Sequence, residues 1–455
     1  MTLELRDPAI APAGKAPLAF IHRTRLRDLP APVVERARLL LLDLAGVAAA
    51  ATRAPVARIA ASHAAAHMLA KRRVRSLLDG RRVSPAGAAF VGATMIDSFD
   101  AHDGHPLTKG HIGVSVLPTL LALGELGLVR DGGDFLASFV VGYEIGTRAG
   151  IALHATASDY HTSGAWGAIA CAALVSRHLR LNPERTRHAL GTAEFHGPRS
   201  QMMRCVAMPT MVKDGSGWGA FAGVTAAFLA ASDYTGAPAV TLEEDRVSEF
   251  WDDLGERWRL LEQYIKPYPV CRWAQPAMEA VRALQAAHRF APDDVAKVEI
   301  RGFREAIALG TREPRSTEEA QYSLPFPVAA MIVRGRLGAA EVFGRALRDE
   351  AILRLTRSMV LTEWPEFSRR FPAERWGQVT ITLRDGTALV SAPAVARGSA
   401  ENPLSEAEIR AKFRDLAIPA LGRARTASIE RAVDGIAAPK APLKPLLDLL
   451  LKPAR

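Results

Sequence analysis

Between Asp100 and Gly113 the chain reads Asp100-Ala101-His102-Asp103-Gly104-His105-Pro106-Leu107-Thr108-Lys109-Gly110-His111-Ile112-Gly113. Three imidazoles, two carboxylates and an ammonium stand together there. They offer proton donors, proton acceptors and anion contacts, and the glycines let the backbone turn between them. The residue types leave open acid-base catalysis or substrate binding, a metal site, and a solvated loop whose side chains only cap. Asp100-x-His102-Asp103 is not a standard zinc spacing, and a transition metal would need ligands from elsewhere in the chain. On residue types alone the metal stays open.

Three further clusters carry chemistry-bearing side chains. In Asp159-Tyr160-His161-Thr162-Ser163-Gly164, His161 falls at the start of an alanine-rich helix. The helix dipole there favours anions and a neutral imidazole, so His161 can serve as a proton carrier, or, with Ser163, merely cap the helix. The stretch Arg199-Ser200-Gln201-Met202-Met203-Arg204 is followed by Val212-Lys213-Asp214-Gly215 before an apolar Gly/Ala-rich run. Lys213 can fix a carboxylate or steady a developing enediolate, or snorkel to solvent. Arg272, next to Cys271, suits bidentate carboxylate recognition or an ordinary ion pair. Cys271 reads as packing, and no phosphate-loop, dinucleotide or nucleophile-elbow pattern is present.

The elements that must hold these loops are mainly helical. From about Pro32 to Ser232, alanine- and leucine-rich segments such as Val33 to Ala50 and Gly164 to Leu179 alternate with Gly, Pro or Asp breaks. Gly215 to Ala231 reads as a buried helix whose small residues permit close helix approach. Lys266-Pro267-Tyr268-Pro269 is a stiff crossing that fits a domain boundary or hinge. Beyond it, Val295 to Ile300 and the alternating Val379 to Leu383 read as strands, with Asp385-Gly386 turning into Ala388 to Val390. Helices at Ala277 to His288 and Val328 to Arg334 complete an α+β module. Ser405 and Glu408 form a capping box opening a helix over Glu406 to Leu416, so the chain returns to helix at its end. Ala437 to Pro442 is a short linker.

At 455 residues and 49% hydrophobic, the chain can bury more than one core, and its mean hydropathy of +0.04 comes from dispersed Ala and Leu. No apolar run is long enough to span a bilayer, and Met1-Thr2-Leu3-Glu4-Leu5-Arg6-Asp7 lacks a secretory pattern, so the expected location is the cytoplasm. Three scattered cysteines argue against a disulfide framework or a metal-sulfur site. The net charge of +10 is spread through mixed sequence. The run Lys71 to Arg75 reads as a solvated face with no nucleic-acid module beside it, so the positive balance favours a small anionic substrate and not nucleic acid.

The clusters, taken in order, resemble the MmgE/PrpD family of 2-methylcitrate dehydratases, cis-aconitate decarboxylases and iminodisuccinate epimerases. The resemblance spans nearly the whole chain. It rests on Asp100-x-His102-Asp103-Gly104 through His111-x-Gly113 to Leu117-Pro118, Gly142-Tyr143-Glu144, Tyr160-His161-x-x-Gly164, Val212-Lys213-Asp214-Gly215, Lys266-x-Tyr268-Pro269-x-Cys271, Tyr322-Ser323-Leu324-Pro325-Phe326, and Asn402-Pro403-Leu404 to Lys412-Phe413. It implies a large all-helical domain from residues 1–265 and 403–455 and a smaller α+β lid domain from 266–402. It also implies a homodimer and, between the domains, a site without cofactor or metal. Asp100, His111, His161 and Lys213 match catalytic positions. Tyr160, Arg204 and Arg272 match neighbours or carboxylate contacts, while His102, Lys109 and Tyr322 are further substrate-binding candidates.

Two departures bear on the reaction. Gln275 and Phe326 stand where decarboxylase-like members carry histidine and tyrosine, and neither can replace the lost proton chemistry. The resemblance therefore implies a lyase that removes a proton beside a carboxylate or carbonyl of a small polycarboxylic acid, with loss of water ahead of carbon dioxide. Epimerisation on the same residues, and a catalytically silent binding homologue, stay open.

Overall fold

The computed structural model describes residues 12–454, so the charged start Met1 to Asp7 lies outside the described residues. The chain is mainly helical with some sheet. Ala31–Ala51 and Gly132–Thr156 are long central helices, buried along most of their length because their apolar residues run round every face. Pro85–Asp97 and Gly113–Glu125 bracket the first loop, and Gly164–Leu179 and Ser216–Ala231 begin just after the second and third. The expected close approach of small-residue helices is found. A Cβ on Gly219 would lie 2.3 Å from the Gly164 carbonyl oxygen, and one on Gly223 2.0 Å from that of Ala168.

The sheet is built by residues 295–395. Val295–Gly302 pairs parallel with Val360–Glu363 and antiparallel with Trp376–Leu383, which in turn pairs with Ala388–Val390 and Ala394–Val395. Ile300 stands opposite Val379 and Val298 opposite Ile381, so the alternation read from sequence points one apolar face at the helix Gln275–Ala287. The turn at Asp385-Gly386 forms as expected, with Gly386 at φ +89°.

The end of the chain packs on the helical part. Ser405 Oγ accepts from the Glu408 N–H, and Glu408 Oε2 accepts from the Ser405 N–H, closing the capping box. The helix runs to Leu421, five residues beyond the expected stop, and lies on Ala31–Ala51. Lys412 Nζ sits 2.7 Å from Asp43 Oδ1 and donates to the Ala101 carbonyl at 2.7 Å, tying this helix to the first loop. Among the described residues, no single helix is long and apolar enough to cross a membrane.

The residues leading into the Lys266 to Pro269 crossing are tied to both neighbours. Tyr264 and Gly104 exchange backbone hydrogen bonds of 2.7 and 3.1 Å, and Ile265 N–H donates to the Gly398 carbonyl at 2.9 Å. The bends at Pro267 and Pro269 follow directly on this tied segment.

Candidate active site

The first loop begins where Pro85–Asp97 ends. Asp100 adopts φ +53° and is 3% exposed. Lys109 at φ +51° and Lys213 at φ +47° share this left-handed conformation, which costs a non-glycine residue about 1 kcal/mol or more. Such strain survives only where surrounding contacts impose it, and it clusters at functional sites. The loop is held tightly. A Cβ on Gly104 would fall 2.4 Å from the Tyr264 hydroxyl, and His105 Nε2 lies 2.9 Å from Glu262 Oε2. His105 accepts the Leu107 N–H at Nδ1, so its Nε2–H donates to Glu262; this histidine fastens the loop and leaves the chemistry to others.

Ser163 joins the three loops. Its Oγ accepts from the His111 backbone N–H at 2.9 Å and donates to Asp214 Oδ2 at 2.7 Å. It does not cap its helix through the side chain. His111 is oriented from the other side, since its Nδ1–H donates to the Asp103 carbonyl. That contact fixes the tautomer and leaves the Nε2 lone pair 3.7 Å from Asp214 Oδ2. Lys266 Nζ lies 2.6 Å from Asp100 Oδ1 and donates also to the Asp100 carbonyl. Lys213 Nζ donates to Gln321 Oε1 at 2.7 Å and stands 4.6 Å from the centre of the Tyr322 ring.

These groups surround a narrow cavity of about 30 Å³, lined by Asp100, His111, Asp214, Lys266, Tyr264 and Tyr322, with Lys109, Tyr160, Arg272 and Arg375 also in its wall. A much wider cleft of about 660 Å³ is lined by His22, Arg25, Arg130, Asp134, Arg177 and His178, none of which belongs to the three loops.

Burial and charge divide the protons. Burial opposes ionisation of Asp100, but the Lys266 and Lys213 ammonium groups outweigh it and hold the carboxyl below its usual range. Burial alone would lower Lys266, yet Asp100 beside it keeps the ammonium above its ordinary value. Burial and then Lys266 lower His111, against the pull of Asp214 and Asp100, so it is a neutral imidazole at physiological pH. Burial and then the Asp214 charge push Asp97 up to about 7.

Asp103 is pushed to about 7 by burial and then by Asp43. Between about pH 4, the unfolded value, and pH 7 the folded protein keeps a proton that the unfolded chain loses, so stability falls as pH rises through that window. Asp103→Asn should remove this share of the fall. Urea unfolding at pH 5 and pH 8 should show the variant gaining on the wild type by on the order of 1 kcal/mol or more at the higher pH. Equal slopes for the two proteins would refute it.

Residues 18–252 match the MmgE/PrpD N-terminal domain and residues 268–436 the MmgE/PrpD C-terminal domain. The chain belongs to the MmgE/PrpD family. It is 25% identical to a cis-aconitate decarboxylase-like protein, oryM, of Aspergillus oryzae, over 91% of this chain and 92% of that one. It is 27% identical to the cis-aconitate decarboxylase of Homo sapiens over 87% and 85% of the two chains, and 24% identical to that of Aspergillus terreus over 94% of both. Membership and relatives together support an enzyme, a lyase at the level of the family.

Of the residues that the MmgE/PrpD motifs single out, Asp100 and His111 meet in the cavity, and Tyr160, Lys109, Arg272 and Tyr322 line it. Lys213 stands immediately behind Tyr322 and Asp100. His161 is outside the lining. Its backbone N–H donates to His154 Nε2, its ring lies 6.3 Å from that of His154, and its buried Nδ1 has no partner. Arg204 is exposed on the short helix Met202–Ala207 and also lies outside. His102 is fully buried behind His111, ring centres 4.1 Å apart, with Nε2 3.7 Å from Asp97 Oδ1, so it packs on His111 and does not line the cavity. Arg272 aims its two terminal nitrogens at Gln275 Oε1, Ser399 Oγ and the carbonyls of Ala396 and Arg397, which fixes it in the wall.

Gln275 and Phe326 are both fully buried away from the cavity. Gln275 bonds the Tyr268 and Val270 carbonyls as well as Arg272. Tyr322, four residues before Phe326, is the phenol of this segment that reaches the cavity.

Lys266, Asp214, Asp97, Tyr264 and Arg375 were not singled out as site residues. Lys266 and Asp214 fall within Lys266-x-Tyr268-Pro269 and Val212-Lys213-Asp214-Gly215, whereas no local pattern marks Arg375. Asp100, His102 and His111 each bring one ligand atom within 4.8 Å of the others, the spacing a metal ion needs. The donor set fits an ion poorly, because the Lys266 ammonium already occupies Asp100 Oδ1 and Lys213 adds a second positive charge beside it.

Proposed function

We propose that this member of the MmgE/PrpD family is a cofactor-independent lyase that removes a proton beside a carboxylate of a small polycarboxylic acid and expels water. The observation that carries the reading is His111. Its tautomer is set by the Asp103 carbonyl, its Nε2 lone pair is free, it is neutral, and it faces a cavity walled by the Lys266–Asp100 pair. A neutral imidazole takes the proton, the ammonium groups of Lys266 and Lys213 offset the charge that develops on the enediolate, and Tyr264 and Tyr322 are the phenols placed to protonate a leaving oxygen. In this reading residues 266–402 act as the lid over the helical part. A second copy of the chain covers the exposed apolar side chains of Phe195, Met208, Val212 and Trp218, which are 76%, 74%, 67% and 54% exposed.

Proton NMR in deuterated water, with di- and tricarboxylic hydroxy acids and their unsaturated products offered to the purified protein, tests the reading. The expected result is growth of an alkene signal at the expense of one hydroxy acid. Deuterium uptake with inversion and no alkene would replace dehydration by epimerisation. Release of carbon dioxide would assign the reaction named for the relatives, and binding without exchange or turnover would make the protein a silent homologue.

A further inference from the structure

Two half-buried cations stand in the cavity wall, and they come from different parts of the fold. Lys109 belongs to the first loop. Its backbone is held at φ +51°, its carbonyl accepts from the Tyr160 hydroxyl, and its ammonium stands 4.7 Å from the centre of the Tyr160 ring. Arg375 belongs to the sheet region, immediately before the strand Trp376–Leu383, and reaches across to donate from Nη2 to the Pro106 carbonyl at 3.1 Å. Its Nε is buried and has no partner.

Like charges brought together at a half-buried seam are unfavourable unless an anion joins them. After burial, the Arg375 charge is the larger influence lowering Lys109, and Glu305 is the acid close enough to oppose it. Arg272, the other arginine in the wall, already directs its terminal nitrogens at four protein acceptors. Arg375 is therefore the cavity arginine with donors left for a ligand, and a guanidinium presents them in the planar fork that suits a carboxylate. In the proposed reaction Lys266 in the cavity wall, with Lys213 behind it, supplies the charge for the carboxylate beside the reacting carbon.

We propose that Arg375, with Lys109, holds a second carboxylate of the substrate, remote from the carbon that loses its proton, and so restricts the enzyme to acids with at least two carboxylates. This rests on reading the cavity as the lyase site. Arg375 is then a specificity-determining residue, and the anion it shares with Lys109 joins the first loop to the sheet region when substrate is bound.

Isothermal titration of the full-length protein with glutarate and with butyrate, which have one reactive-end carboxylate in common and differ in the second, tests the assignment. Wild type is expected to bind glutarate about tenfold or more tightly than butyrate. Arg375→Gln should weaken glutarate to the level of butyrate and leave butyrate unchanged, and Arg375→Lys should recover part of the difference, since it restores charge without the fork. Lys109→Gln gives a second route to the same loss should Arg375→Gln melt early. A glutarate preference that persists in Arg375→Gln overturns the proposal, as does a wild type that binds the two acids equally or fails to bind glutarate. Those outcomes leave the lyase reading standing if the NMR experiment shows elimination, whereas absence of turnover on every acid sinks the lyase reading itself.

Discussion

His111→Asn is expected to lower kcat by about 10²- to 10⁴-fold while moving the unfolding midpoint very little. The asparagine amide can still donate to the Asp103 carbonyl as His111 Nδ1 does, so the loop keeps its fastening. What disappears is the Nε2 lone pair, 3.7 Å from Asp214 in the cavity wall, which the proposed reaction uses as its base. Initial rates on the acid identified by NMR, with thermal melts of both proteins, check the separation of activity from fold. Turnover within about tenfold of wild type would remove His111 from the role of base.

Lys266→Met is expected to cost about 3–5 kcal/mol of stability and to abolish turnover. The pair with Asp100 is buried on both sides, at 1% and 4% side-chain exposure, and Asp100 Oδ2 already lacks a partner. Removing the ammonium strands a carboxylate in the interior, which is far more costly than never having charged the site. The double variant Lys266→Met with Asp100→Asn should therefore recover most of the lost stability and none of the activity. Urea unfolding of the single and double variants decides it. A single variant as stable as wild type, or a double variant that is active, would show that the pair is not the charged centre of the site.

The elements and the tight loops were legible because their causes are local. A capping serine three residues before a glutamate, an alternation of two before an Asp-Gly turn, and glycines at one helical spacing each act within a few residues, and each formed as read. The left-handed backbone at Asp100, Lys109 and Lys213 was not legible, since none is a glycine and only the surrounding contacts impose it. Lys266 lies 166 residues from Asp100 in the chain, and its neighbouring prolines drew attention to stiffness instead of charge. His161 and Arg204 belong to the same motifs and stand outside the cavity lining: the His161 backbone N–H bonds the His154 ring, and Arg204 is exposed on its short helix.

By itself, the sequence determined which loops gather the chemistry-bearing side chains, because histidine, aspartate and lysine are concentrated between apolar helices whose periodicity and caps are written locally. It also determined the family, through motifs spread along the whole chain. The tertiary structure alone decided which of those side chains share a cavity, which lone pair of His111 is free, and that Lys266 and Arg375 belong with residues from the first loop. Proton affinity and ion pairing depend on distance and burial, which are properties of the folded arrangement and not of residue order.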